Sequence, residues 1–94
     1  MNAPKITPER TTLLEFPCEF PIKIMGKRVD EFAQVITELV LGFAPDFNPA
    51  TIEMRPSARG NYIGLTCTIN ATSQAQLDNI YMALTSHPLV SVAL

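Results

Sequence analysis

The chain is expected to form an α+β domain with the element order βαββαβ, and three observations carry that expectation. Several segments alternate apolar and polar residues, the mark of a half-buried strand. Two others repeat apolar residues at i, i+3, i+4 and i+7, the mark of an amphipathic helix. Each strand then has one apolar face and each helix one apolar stripe. Both needs are met by packing two helices on one face of a four-stranded antiparallel sheet. Right-handed crossovers give the ferredoxin-like arrangement, with spatial strand order 4-1-3-2.

Residues 1–12 read as a flexible polar tail, and 13–94 as a single domain that opens on an apolar lead-in at 13–17. From Glu19 the chain alternates, with Phe20, Ile22 and Ile24 on one side and Lys23 and Met25 on the other; Gly26 ends this strand. Asp30 is the expected N-cap of the first helix, whose stripe is Phe32, Val35, Ile36, Leu39, Val40 and Phe43. Gly42 and Pro45 stop it. A short strand over 51–55 puts Ile52 and Met54 inward, and 56–61 reads as a loop by composition. Tyr62 to Asn70 is the clearest strand, with Ile63, Leu65, Cys67 and Ile69 inward and Tyr62, Gly64, Thr66 and Thr68 outward. Ser73 and Gln76 fit a capping box ahead of a second helix carrying Leu77, Ile80, Tyr81 and Leu84. Pro88 stops that helix, and Val90, Val92 and Leu94 form the apolar face of a last strand, with Ser91 outward.

The bulk numbers narrow the function classes. Ninety-four residues with 47% apolar content suit one globular domain with a modest core. A net charge of −2 argues against generic nucleic-acid binding. Recognition of RNA by the open sheet face needs stacked aromatics on the central strands, and only Tyr62 qualifies. The longest nearly apolar run, 39–45, is too short to span a bilayer, and the first twelve residues hold no apolar signal core. The expected location is cytoplasmic, with no membrane contact, where Cys18 and Cys67 remain free thiols. Cys67 alternates inward as core packing, and Cys18 has no neighbouring cation or histidine to activate it. The lone His87 suits the end of the second helix; with no spaced His/Cys set, no metal or other cofactor is expected.

Several stretches in order resemble a known family. These are Leu14-Glu15-Phe16-Pro17, Lys23-Ile24-Met25-Gly26, Ser57 with Gly60-Asn61-Tyr62, and Thr68-Ile69-Asn70-Ala71-Thr72. Together they resemble the YbeD-like family of small bacterial proteins of unknown function, over residues 13–94. The resemblance implies a ferredoxin-like fold similar to ACT regulatory domains and no established reaction. ACT domains commonly bind amino acids near a glycine after the first strand, at a dimer interface. Gly26 occupies that position, but Lys23, Ile24 and Met25 stand where the usual Asp and Pro would precede it.

Topology supplies the site argument. The end of the first strand, the start of the first helix and the 57–61 loop share one edge of the domain. That edge gathers Gly26, Lys27, Arg28, Arg55, Arg59 and Gly60, four of the seven basic residues among them, with Asn61 and Tyr62 as further donors. With the positive end of the helix beside them, they form a candidate anion site for a phosphate or carboxylate. The bland alternative is a solvated positive edge, partly neutralised by Asp30, Glu31 and Glu53, with Gly60 and Asn61 serving only the turn. The expected function is a non-enzymatic regulatory or interaction module for a small anionic ligand or a protein partner. The catalytic alternative is an acylphosphatase-like hydrolase using Arg28 and Asn61, although the phosphate-cradling loop of those enzymes is missing. The uncharged strand 89–94 lies at a sheet edge, where a homodimer or another protein would pair with it unless the 13–17 lead-in covers it.

Overall fold

The structure is a computed structural model that describes residues 14–94; the expected polar tail of residues 1–12 lies outside the described residues. Four strands and two helices follow one another as expected: β1 (Cys18–Lys27), α1 (Phe32–Phe43), β2 (Glu53–Pro56), β3 (Tyr62–Ala71), α2 (Gln74–Thr85) and β4 (Val90–Ala93). The sheet order is β2-β3-β1-β4, with all three pairings antiparallel. This is the α+β, ferredoxin-like arrangement the alternation and helical spacing predict. Among the described residues, no helix is long and apolar enough to cross a membrane.

The sheet is built around two long central strands. β1 and β3 run ten residues each and pair along their whole length, from Cys18 opposite Ala71 to Lys27 opposite Tyr62. Alternation sends Ile22, Ile24, Leu65, Cys67, Ile69 and Ala71 to the helical side, where all are buried. There they meet Phe32, Ile36 and Val40 of α1 and Leu77, Ile80 and Leu84 of α2, all buried at helical spacing. Phe20 and Tyr81 add an edge-to-face ring contact at 6.5 Å between β1 and α2. Cys18 and Cys67 are free thiols, and burial pushes the Cys67 thiol up to about 11. Leu14 and Phe16 of the lead-in pack against the core.

Caps and turns follow the side chains available. Ser73 Oγ accepts from the Gln76 N–H at 3.0 Å, as the capping box predicts. Gln76 Oε1 reaches back to the Thr72 N–H at 2.8 Å, and its Nε2 donates to the Phe43 carbonyl at 2.9 Å. One side chain thus ties the start of α2 to the end of α1. The first helix departs from expectation: its N-cap is Glu31, with no side-chain cap bond, and the Phe32 N–H donates to the Val29 carbonyl at 3.1 Å. Asn48 and Pro49 open a 3₁₀ turn over Pro49–Thr51 that delays β2 to Glu53.

Side chains on both edge strands depart from the sequence expectation. Met54, opposite Leu65 on the helical side, is 60% exposed because the edge strand runs beyond the cover of the helices. Val92 and Leu94, expected inward, lie on the open face. Ala93 pairs with Ile24 and Val92 with Met25, but Gly26 pairs with Val90, so Ser91 is an extra residue. This bulge reverses the side on which every later β4 side chain emerges.

Candidate functional site

Two elements build the basic end of the sheet. The first is the exit of β1, where Lys27 pairs with Tyr62 and the Arg28 N–H donates to the Asn61 carbonyl at 3.2 Å. The second is the turn between β2 and β3. The Gly60 N–H donates to the Ser57 carbonyl at 3.0 Å, the Ser57 N–H to the Tyr62 carbonyl at 2.9 Å, and the Tyr62 N–H to Ser57 Oγ at 3.2 Å. Gly60 has φ +76°, a conformation side chains rarely adopt, so the turn needs glycine for its backbone. An added Cβ would lie 3.2 Å from Arg28 Nη1, the end of a flexible exposed side chain that can move aside, so the backbone and not space sets the requirement. The Arg28 guanidinium therefore lies against the tip of the turn. Lys27, Arg28, Arg59, Asn61 and Tyr62 are all exposed here.

The remaining candidates sit differently. Arg55 is exposed on β2 opposite Gly64, along the face of the sheet rather than at its end. Gly26 is buried inside β1, where an added Cβ would run into the Leu89 carbonyl oxygen and the Phe32 ring. Its smallness is a packing requirement between β1, α1 and the approach to β4. Arg28 and Asn61, the pair that acyl-phosphate hydrolysis would use, are joined through their backbones. His87, at the exit of α2, accepts the Leu89 N–H on Nδ1 at 3.1 Å and so shapes the turn into β4. Among the described residues, no group of three or more His, Cys, Asp or Glu could hold a metal ion.

The open face itself carries a feature that the alternation pattern missed. A shallow hollow of about 570 Å³ crosses it, with Gly64 in its floor and Met25, Arg55, Tyr62, Val92 and Leu94 around it. The large apolar members are well exposed: Met25 46%, Tyr62 45%, Val92 43% and Leu94 72%. Alternation carried unbroken through Ser91 would send Val92 and Leu94 inward and leave this face mostly polar. The missing signal was the bulge at Ser91, which strict alternation cannot show.

Known proteins of the same kind share nearly the whole chain. Residues 11–94 match a family described as protein of unknown function (DUF493). A UPF0250 protein of Bordetella pertussis is 58% identical over 87 residues, covering 93% of this chain and 96% of the relative. A UPF0250 protein of Ralstonia nicotianae is 53% identical over 93 residues, covering 99% and 96%. One from Nitrosomonas europaea is 52% identical over 83 residues, covering 88% and 95%. At this identity and coverage, the chain belongs to the DUF493 family of small bacterial proteins, whose function is unknown.

Proposed function

We propose that the domain is a non-enzymatic regulatory or interaction module that takes an anionic group, a phosphate or carboxylate, at its basic end. The observation that carries this reading is the joining of Lys27 and Arg28 to the Arg59-Gly60-Asn61 turn. The Arg28 N–H bond to Asn61 sets the two segments side by side, and the Arg28 guanidinium lies against Gly60. Arginine presents a rigid fork of donors suited to a bidentate grip on such an anion. The site is exposed and bears no enclosing wall, which suits reversible recognition of a charged group.

The test is an NMR titration of the full chain with inorganic phosphate and with citrate. Amide shifts are expected at Lys27, Arg28, Gly60 and Asn61. Arg28→Ala and Arg59→Ala should each weaken binding by about fivefold, the size of one exposed ion pair. Millimolar anion that leaves these amides unmoved would remove the reading. Turnover of acetyl phosphate that disappears in Arg28→Ala would replace it with the hydrolase.

A further inference from the structure

The centre of the open face holds a glycine that the fold does not require. Gly64 lies within the ten-residue strand β3, between Arg55 of β2 and Met25 of β1. An added Cβ would meet nothing nearer than the Arg55 carbonyl oxygen at 3.6 Å, an ordinary contact. Its φ lies outside the left-handed region, unlike that of Gly60. Glycine inside a strand weakens it, and it often marks a bulge, a bend or the close approach of another molecule; both pairings run through Gly64 without a register shift, so there is no bulge to account for it. The missing side chain leaves the floor of the hollow bare.

What surrounds that floor has a definite chemistry. On the sheet face, Lys23 lies opposite Thr66, Met25 opposite Gly64 and Lys27 opposite Tyr62. The bulge at Ser91 sets Val92 beside Met25, and backbone bonds at 3.0 and 2.8 Å join Leu94 to Lys23. Lys23, Lys27 and Arg55 are on this face, with Arg28 and Arg59 at its rim; these are all the Lys and Arg among the described residues. Two acidic residues share the face, Glu53 opposite Thr66 and Glu19 at the far end opposite Asn70. Asp30, Glu31, Glu38, Asp46 and Asp78 belong instead to the helices and their flanking loops, and Glu15 precedes β1. A chain with net charge −2 has thus gathered its described cations around one apolar strip.

We propose that this face is the docking surface for a partner protein, through a segment in which acidic side chains flank an aliphatic or aromatic anchor seated over Gly64. Charge complementarity selects an acidic partner, and the strip of Met25, Tyr62, Val92 and Leu94 selects an apolar anchor. The hollow reaches from Arg55 on one edge strand to Leu94 beyond the other and is open above, the shape of a protein contact rather than of a pocket that encloses a small molecule. The proposal goes beyond the anion site, which lies at the end of the sheet and involves different amides.

The experiment is an NMR titration of the full chain with a short synthetic peptide alternating glutamate with leucine and phenylalanine. The same peptide with lysine for glutamate, inorganic phosphate and a single-stranded oligouridine serve as parallel probes. The acidic peptide is expected to shift Met25, Gly64, Thr66 and Val92, and the lysine peptide to leave them in place. Gly64→Val should raise the Tm and weaken peptide binding by about tenfold, the effect of filling an anchor position. Arg55→Glu, an exposed change, should weaken it by a similar factor with unchanged circular dichroism. The proposal is overturned if the acidic peptide shifts none of these amides, if Gly64→Val binds it as well as the parent, or if oligouridine shifts them at lower concentration. It is also overturned if sedimentation shows the face occupied by a second copy of the chain. Phosphate shifts confined to Lys27, Arg28 and Gly60, with no peptide response, would uphold the anion site and reject the docking face.

Discussion

The two faces of the sheet are made by the same strands and answer to different demands. On β1, Ile22 and Ile24 are 0% and 1% exposed, while Met25 between Ile24 and Gly26 is 46% exposed. Two glycines sharpen the contrast. Gly26, on the covered side, has a carbonyl oxygen and an aromatic ring where its side chain would be; Gly64, its near neighbour on β3, has only the Arg55 carbonyl oxygen at 3.6 Å, an ordinary contact. The first is glycine because the core leaves no room. The second is glycine although packing would accept more, which makes the covered face the seat of stability and is the ground for the contact proposed at the open face.

The sharpest way to break this comparison is to enlarge both glycines. Gly26→Ala should destabilise the fold by about 3 kcal/mol or more in urea denaturation, because the neighbours are a backbone oxygen and the well-packed Phe32 ring. Gly64→Ala should instead stabilise it by about 0.5–1 kcal/mol, through lower chain entropy in the unfolded state. Equal losses at both positions would end the distinction.

Truncations test the faces directly. Ile24→Ala should cost about 2–5 kcal/mol through the cavity it leaves, while Met25→Ala should cost under about 1 kcal/mol. A pH series probes the covered face alone. Burial raises the Cys67 thiol from an ordinary 9.0 to about 11, so the unfolded chain loses this proton first as pH rises. Its contribution is complete below about pH 9 and is lost as pH climbs through about 11, a fall on the order of 2 kcal/mol. Denaturation curves at neutral and high pH should show that fall in the parent and a smaller one in Cys67→Ala. The smallest effect is at the helix start, where Ser73→Ala removes the acceptor for the Gln76 N–H and should cost about 1 kcal/mol in the same assay.

Much of the fold was legible because β1 and β3 alternate cleanly and both helices keep their apolar spacing. Strand order followed from handedness and connectivity. What escaped was local and depended on neighbours. Asp30 is a good capping residue, yet the turn from Val29 satisfies the first helical N–H instead. Met54 alternates inward, but on an edge strand that the helices do not reach. At the candidate site, the nearness of Arg28 to the 59–61 turn could be read from topology, whereas the burial of Gly26 could not, since it depends on Phe32 and Leu89 arriving from other elements. Gly64 was visible as an outward residue, but that an added side chain would meet only an ordinary contact needed the structure.

The extra residue in β4 has a wider consequence. In a strand, odd and even positions are two separate messages, and Ser91 changes the parity partway through the last one. Deleting Ser91 alone should redirect Val92 and Leu94 from solvent toward the helices without altering a single apolar side chain. In a domain this small, the character of an entire surface can turn on the insertion or loss of one codon at its edge.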